Sequence, residues 1–298
     1  MISQLYDHVY TDDMMDILIS HEQERIKSWE DELKGLPEGS LCHSITAGKV
    51  YYSQCIDGRK RSISHETDTL YGLARKKYLR ARIAEQRKKA YNTSLRVKSL
   101  SNRPPHSSRI ESHIMGSLIN DDYSAVQRLL LKFSNLGLDL QRITCSKDQY
   151  RWINGNYLKS RQELHNCIYE TYSGVKVRSK SEQSIGNLLE LNGIPYRYEQ
   201  GFEFDVSWME GVTGTSMGQY KVYYPDFTIQ TVTGECILWE HLGRTDLPGY
   251  RTHNMEKIAA YRQDGRFTDS RLILTFERDM ESTKIIADII SQRIMPYV

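Results

Sequence analysis

Two acidic residues stand where acids are costly. Asp226 lies in Tyr224-Pro225-Asp226-Phe227, and Glu240 lies in Trp239-Glu240-His241-Leu242-Gly243. Both runs are otherwise apolar and β-prone, and burying an unpaired charge in such a run costs several kcal/mol or more. Thr233-Gly234 falls between them and reads as the turn of a hairpin. A turn centred on Thr233 sets Asp226 opposite Glu240 on one face, with Cβ atoms roughly 4.5–5.5 Å apart. Like charges that close repel unless something neutralises them. A hard cation such as Mg²⁺ does so, held by one or two carboxylates with water and phosphate oxygens completing its shell. A register slip of one residue would move one acid to the other face.

The elements that must position this pair are legible on either side. Ser179-Lys180-Ser181-Glu182 opens a helix running to Asn192. Ile185, Leu188 and Leu189 form its buried stripe, and Gly193 and Pro195 end it. Strands are expected over 196–206, 219–231 and 235–241, the first two separated by the Gly-rich stretch 211–218. A helix over 251–264, an apolar strand over 271–276 and a last helix over 282–294 complete an αβββαβα order.

Pro225-Asp226, then Glu240 at the end of the next strand, within this order of elements, resemble the PD-(D/E)xK nuclease superfamily over residues 178–298. The words Arg178-Ser179-Lys180-Ser181-Glu182, Tyr224-Pro225-Asp226-Phe227 and Trp239-Glu240-His241-Leu242-Gly243 are similar to a branch found in phage proteins and fused to helicases. The resemblance implies a restriction-endonuclease-like α+β (α/β) core and metal-dependent phosphodiester hydrolysis with Mg²⁺ or Mn²⁺. It implies Glu182, Asp226 and Glu240 as the acidic set. Asp226 and Glu240 would ligate directly, the backbone carbonyl of His241 would join them, and Glu182 would act through water. One position departs: the motif lysine falls at residue 242, which is Leu242. The family tolerates migration of this lysine to the following helix. Lys257 in Met255-Glu256-Lys257-Ile258 fits that substitution, with Tyr261 one turn further along as an accessory group.

Each candidate also has a plainer reading. Glu182 completes a Ser179-x-x-Glu182 capping box, and Lys257 could be a helix-surface lysine. The His241 side chain alternates to the opposite face from Glu240, which gives it a packing or supporting role. Glu199 and Gln200 follow the first strand, and Asp246 and Tyr250 lie in the loop beside the site.

Upstream, the charge is uneven. Net charge is only +2, but residues 59–98 carry thirteen Lys/Arg against Glu66, Asp68 and Glu85, a local +10 against −8 for the rest. That asymmetry points to a polyanion partner. Short β-prone runs at 40–45, 49–56 and 59–64 are separated by Ala47-Gly48 and Asp57-Gly58, the signature of a three-stranded meander. A basic helix over 69–93 follows, so Arg59, Lys60, Arg61, Arg75, Lys76, Lys77, Arg80, Arg87 and Lys88 are the candidate nucleic-acid contacts. With few acids nearby in sequence, like-charge repulsion argues for an external partner. The meander and helix resemble the arm-type DNA-binding modules of phage integrases. DNA is the expected partner, with RNA left open.

The remaining signals set bounds. The 298 residues allow four segments: an acidic helix in 1–39, the basic module 40–100, a mostly helical connection 101–172 with helices over 110–135 and 157–172, and the nuclease-like 173–298. No apolar run is long enough to span a bilayer, and the first twenty residues do not read as a signal peptide, so the expected location is the cytoplasm. Five cysteines with no C-x-x-C pair argue against a zinc or disulfide framework. The oligomeric state stays open, a homodimer included. Two other classes fit the same residues: a nuclease-fold protein that binds nucleic acid without turnover, and a phage interaction or inhibitor protein acting through its acidic N-terminal helix.

Overall fold

The computed structural model describes residues 12–101, 124–160, 168–209, 219–243 and 248–298. The chain is mixed α and β with several small sheets. It divides into two compact units, Met1–Lys132 and Phe133–Val298, and stretch 101–172 falls on both sides of that division.

In the first unit, α1 (Asp12–Lys34) precedes β1 (Ser40–Thr46), β2 (Lys49–Ile56), β3 (Arg59–Ser62) and α2 (Thr67–Ser101). The strands form the expected antiparallel meander in the order β1-β2-β3. Thr46 pairs with Lys49 and Ile56 with Arg59, so each connection is a two-residue turn. Both turn residues take positive φ in each case: Ala47 and Gly48 at 50° and 74°, Asp57 and Gly58 at 47° and 78°. Two left-handed residues in succession match the strand twist, which is why Ala-Gly and Asp-Gly close these hairpins. Leu70, Leu73, Ala74, Tyr78 and Ile83 of α2 are buried, as their spacing predicts.

Across the division lies α3 (Ala125–Asn135), followed by α4 (Leu140–Thr144) and α5 (Lys147–Asn154). The expected helix over 157–172 is not found in its described part. Lys159 instead bridges to Gln200, and β4 (Tyr169–Glu170) pairs with β5 (Lys176–Val177). The backbone of 158–160 bonds to Glu199 and Gly201. Ile168, which the helical spacing would bury, is 73% exposed.

The rest of the second unit is built on a four-stranded sheet in the order β11-β10-β9-β6. Its strands are β6 (Tyr196–Tyr198), β9 (Phe227–Gln230), β10 (Cys236–Leu242) and β11 (Leu272–Phe276), with β10 and β11 parallel and the other pairs antiparallel. The helices are α6 (Lys180–Leu191), α7 (Pro248–Gln263) and α8 (Thr283–Ile289), the last continuing as a wider turn through Ile294. Ser179 caps α6 through Glu182 N, and Gly193 at φ 69° ends it with the paired bonds Gly193 N to Glu190 O and Ile194 N to Leu189 O.

Strands expected over 196–206 and 219–231 are each broken in two. β7 (Phe202–Asp205) pairs with β8 (Tyr220–Tyr223) in a separate two-stranded sheet. The breaks have local causes. Pro225 has no N–H to give the ladder, and Glu199 turns the other strand with φ 48°. The two breaks meet through Glu199 N to Asp226 O at 3.1 Å.

Alternation along β10 sorts the core. Ile237 and Trp239 pack with Ile185 and Leu189 of α6, Phe227 and Ile229 of β9, and Ile286 of α8. Leu238, on the opposite face, packs with Ala260 and Tyr261 of α7. Glu240 shares the parity of Leu238 and therefore faces α7.

Candidate active site

The hairpin register places the acids as the turn arithmetic predicts. Cys236 pairs with Gln230 and Trp239 with Phe227, so the next position along brings Asp226 beside Glu240. Asp226 sits just before β9, outside the ladder, where the break at Pro225 leaves it able to bend toward the neighbouring strand. Its Oδ2 accepts from the backbone N–H of His241 at 2.6 Å. Its other oxygen makes no hydrogen bond among the described residues.

Glu240 is 3% exposed and its Oε1 accepts from Lys257 Nζ, which is itself buried. Tyr261 OH lies 3.5 Å from Glu240 Oε2, at the outer limit of a hydrogen bond. Lys257 is therefore on the inward face of α7 rather than on its surface, and Tyr261 stands one turn along, as the i, i+4 spacing requires. Leu242 is buried.

The electrostatics follow from burial. Loss of hydration raises the Asp226 carboxyl well above the usual carboxylate range, and Glu240 and Glu182 raise it further against the pull of Lys257. Burial also raises Glu240, with Lys257 opposing. Asp226 and Glu240 are thus buried together with Lys257 as the cation beside them, and Glu182 is near enough to act on both. That donor set suits a hard divalent cation, which needs only one or two carboxylates with waters. Among the described residues no group of three His, Cys, Asp or Glu side chains stands around one point at ligating distance.

Glu182 is held differently from its capping-box reading. Ser179 Oγ does accept from Glu182 N at 3.1 Å. The Glu182 carboxylate does not return to the cap. Its Oε2 accepts from Arg178 N at 3.0 Å and from Tyr198 OH at 2.6 Å. Burial and the charge of Glu182 raise the Tyr198 hydroxyl far above its ordinary value, so it remains a donor.

His241 alternates to the α6 side as expected. Its ring bonds Thr275 Oγ1 and Glu277 Oε2, both at 3.2 Å. Thr275 Oγ1 also accepts from Trp239 Nε1 at 2.9 Å. Ser181 Oγ reaches the same Glu277 carboxylate at 3.2 and 3.3 Å. Sequence reasoning missed Tyr198, Thr275 and Glu277. Their only signal is positional, since Thr275 pairs with His241 in the β10–β11 register. Glu199 is taken by Arg178 at 2.6 and 2.8 Å, and Gln200 bridges to Lys159. Asp246 and the side chain of Tyr250 lie outside the described residues.

No protein-family model matches the chain, and no curated protein or solved structure matches it.

The basic module has partners that sequence distance concealed. Arg75 makes a two-point contact with Glu32 of α1, and Arg87 pairs with Glu30. Arg82 lies 5.6 Å from the centre of the Trp29 ring. Lys76 donates to Pro37 O at 2.9 Å, and Arg61 grips Glu66 and Gln54. The premise that few acids lie nearby is thus corrected: α1 brings them. Arg59, Lys60, Lys77, Arg80 and Lys88 are exposed and make no ion pair among the described residues. Lys77, Arg80 and Lys88 lie along one face of α2.

Proposed function

We propose that the chain is a divalent-metal-dependent nuclease of PD-(D/E)xK type, hydrolysing phosphodiester bonds in DNA, on a restriction-endonuclease-like core within residues 173–298. The observation that carries this reading is Lys257 buried against Glu240 beside Asp226. On this reading Lys257 of α7 takes the part of the motif lysine that is absent at Leu242.

Asp226 and Glu240, with the His241 carbonyl, would hold Mg²⁺ or Mn²⁺, and Glu182 would contribute through water. When bound, such an ion lowers the pKa of a ligated water and polarises the phosphate. The chain's own residues do the rest. Lys257 orients the attacking water and offsets charge as it develops on the phosphate oxygens. Tyr261 holds the far oxygen of Glu240. His241 N–H fixes Asp226, leaving its other oxygen facing the site. The exposed cations of the basic module supply phosphate affinity that carries no sequence information.

The direct test is cleavage of single- and double-stranded DNA with Mg²⁺ or Mn²⁺ present. Wild-type protein should cut, and Asp226→Asn and Glu240→Gln should not. Equal cutting by either variant removes the site assignment. A second reading, a nuclease-fold protein that binds without turnover, is favoured by Leu242 at the position of the motif lysine. It predicts nucleic-acid binding that survives EDTA with no cleavage of any substrate.

A further inference from the structure

Asp226 is held by the His241 N–H and Glu240 by Lys257, but Glu182 is held by a residue outside the acidic set. Glu182 stands half-buried in the first turn of α6. The last torsion of a glutamate side chain is broad, so its carboxylate turns freely unless something holds it. Two donors converge on one of its oxygens. Tyr198 OH donates to Oε2 at 2.6 Å, and Arg178 N donates to the same atom at 3.0 Å. The shorter distance is typical of a hydroxyl bonded to an ionised carboxylate. The Arg178 N–H also lies 3.2 Å from Tyr198 OH, so the three groups close a triangle. Glu182 Oε1 makes no hydrogen bond among the described residues.

Tyr198 is itself well anchored. It is the last residue of β6 and pairs with Phe227 of β9, the residue that follows Asp226. Its ring meets Phe227 edge-on with centroids 5.7 Å apart. Its carbonyl accepts from Tyr157 OH at 3.3 Å. Glu199, the next residue, braces the same place a second time. Its N–H donates to the Asp226 carbonyl at 3.1 Å, and its carboxylate takes the Arg178 guanidinium at 2.6 and 2.8 Å. Two consecutive residues at the end of β6 therefore join the Asp226 segment to the Arg178–Glu182 segment. Tyr198 does so through the Glu182 carboxylate, and Glu199 through the Arg178 side chain. Glu182 is near enough to Asp226 and Glu240 for its charge to act on both.

We propose that Tyr198 is a positioning residue of this site: by holding Oε2 of Glu182, it leaves Oε1 as the oxygen that receives a metal-bound water. Tyr198 acts through Glu182 and touches neither the ion nor the phosphate. The inference rests on the metal-dependent nuclease reading for its link to cleavage. Groups that hydrogen-bond a metal-binding side chain from outside change metal affinity or activity by about 10–100-fold when removed. A tie that merely joined α6 to β6 would change stability and leave metal affinity as it was.

The test uses full-length protein with two readouts: Mn²⁺ uptake, followed by loss of the free-ion EPR signal, and kcat and KM for DNA cleavage. Wild type, Tyr198→Phe, Glu182→Gln, their double variant and Asp226→Asn are compared. Tyr198→Phe deletes one oxygen and keeps the ring against Phe227, and a thermal melt checks that it folds. Expected in Tyr198→Phe is a loss of about tenfold or more in Mn²⁺ affinity or in kcat, with KM for DNA unchanged. The double variant should be no worse than Glu182→Gln, because Tyr198 has only Glu182 to act through. The proposal is overturned if Tyr198→Phe matches wild type in both readouts, or if the two losses multiply in the double variant. Wild type that takes up Mn²⁺ at Asp226 but cuts no DNA removes the nuclease reading, and Tyr198 is then judged on Mn²⁺ affinity alone. Wild type that takes up no Mn²⁺ overturns the proposal whatever it cleaves.

Discussion

At the scale of single residues, the Lys257–Glu240 pair decides most. Removing one partner of a buried ion pair leaves the other charge uncompensated, at a cost of about 3–5 kcal/mol. Lys257→Ala should therefore lower the thermal midpoint sharply, and Lys257→Ala combined with Glu240→Gln should recover much of that loss. Unfolding curves of the two single variants and the double variant measure the coupling. Where Lys257→Ala still folds, cleavage should fall by about 10²–10³, the usual effect of deleting one preorganised charge donor. Asp226 behaves differently, because its charge is opposed by two neighbouring acids. Asp226→Asn should leave metal-free protein as stable as wild type or more so, and should abolish any rise in thermal midpoint on adding Mg²⁺. A midpoint that still climbs with Mg²⁺ in that variant would place the ion elsewhere.

At the scale of elements, α6 carries a titratable tie. Glu190 is 1% exposed and joins α6 to the β4–β5 turn and to β6. It accepts from Thr171 Oγ1 and Tyr196 OH, both at 2.7 Å, and from Ser173 N at 2.8 Å. Burial raises its carboxyl to about 7 from 4.5. A folded-state value above the unfolded one means that the native protein holds the proton more tightly. The Glu190 contribution is thus full below pH 4.5 and is lost as pH rises toward 7. At about 1.4 kcal/mol per unit, the loss is roughly 3 kcal/mol. Glu190→Gln should flatten the decline of unfolding free energy across that window, measured by denaturant titration at several pH values. In the first unit, the hairpin turns are set by backbone sign. Gly58→Val meets no clash but must adopt φ 78°. It should cost about 1–3 kcal/mol through strain alone.

At the scale of the whole molecule, the question is where the positive charge acts. Arg75, Arg87, Arg61 and Lys76 hold the first unit together, so their substitution should lower stability. Arg59, Lys60, Lys77, Arg80 and Lys88 are exposed, so theirs should lower nucleic-acid affinity at unchanged thermal midpoint. If all five meet phosphates, the logarithm of the binding constant should fall with the logarithm of salt at a slope near −4 to −5. Neutralising any two of them should reduce that slope by about 2. A slope near zero would remove nucleic acid as the partner of this surface. Among the described residues no helix is long and apolar enough to cross a membrane.

Much of this was legible in the chain itself. Period-two runs around Asp57-Gly58 specify the meander, because that dipeptide accepts two left-handed residues. Ser179, Gly193 and the leucine stripe between them bound α6. The hairpin centred on Thr233 brings Asp226 to Glu240, because strand pairing from a known turn is arithmetic. Other features required the tertiary structure. Residues 158–160 lie extended because they bond to the backbone at Glu199–Gly201, a partner forty positions away that no local spacing reveals. Two expected strands break at Pro225 and Glu199, and only the fold brings the two breaks together, through Glu199 N and the Asp226 carbonyl. Glu30 and Glu32 neutralise Arg87 and Arg75 only once α1 lies along α2. Sequence alone identified Asp226, Glu240 and Lys257 as candidates. Only the three-dimensional fold decided that Lys257 lies buried on Glu240, because which face of α7 turns inward depends on what the sheet presents to it.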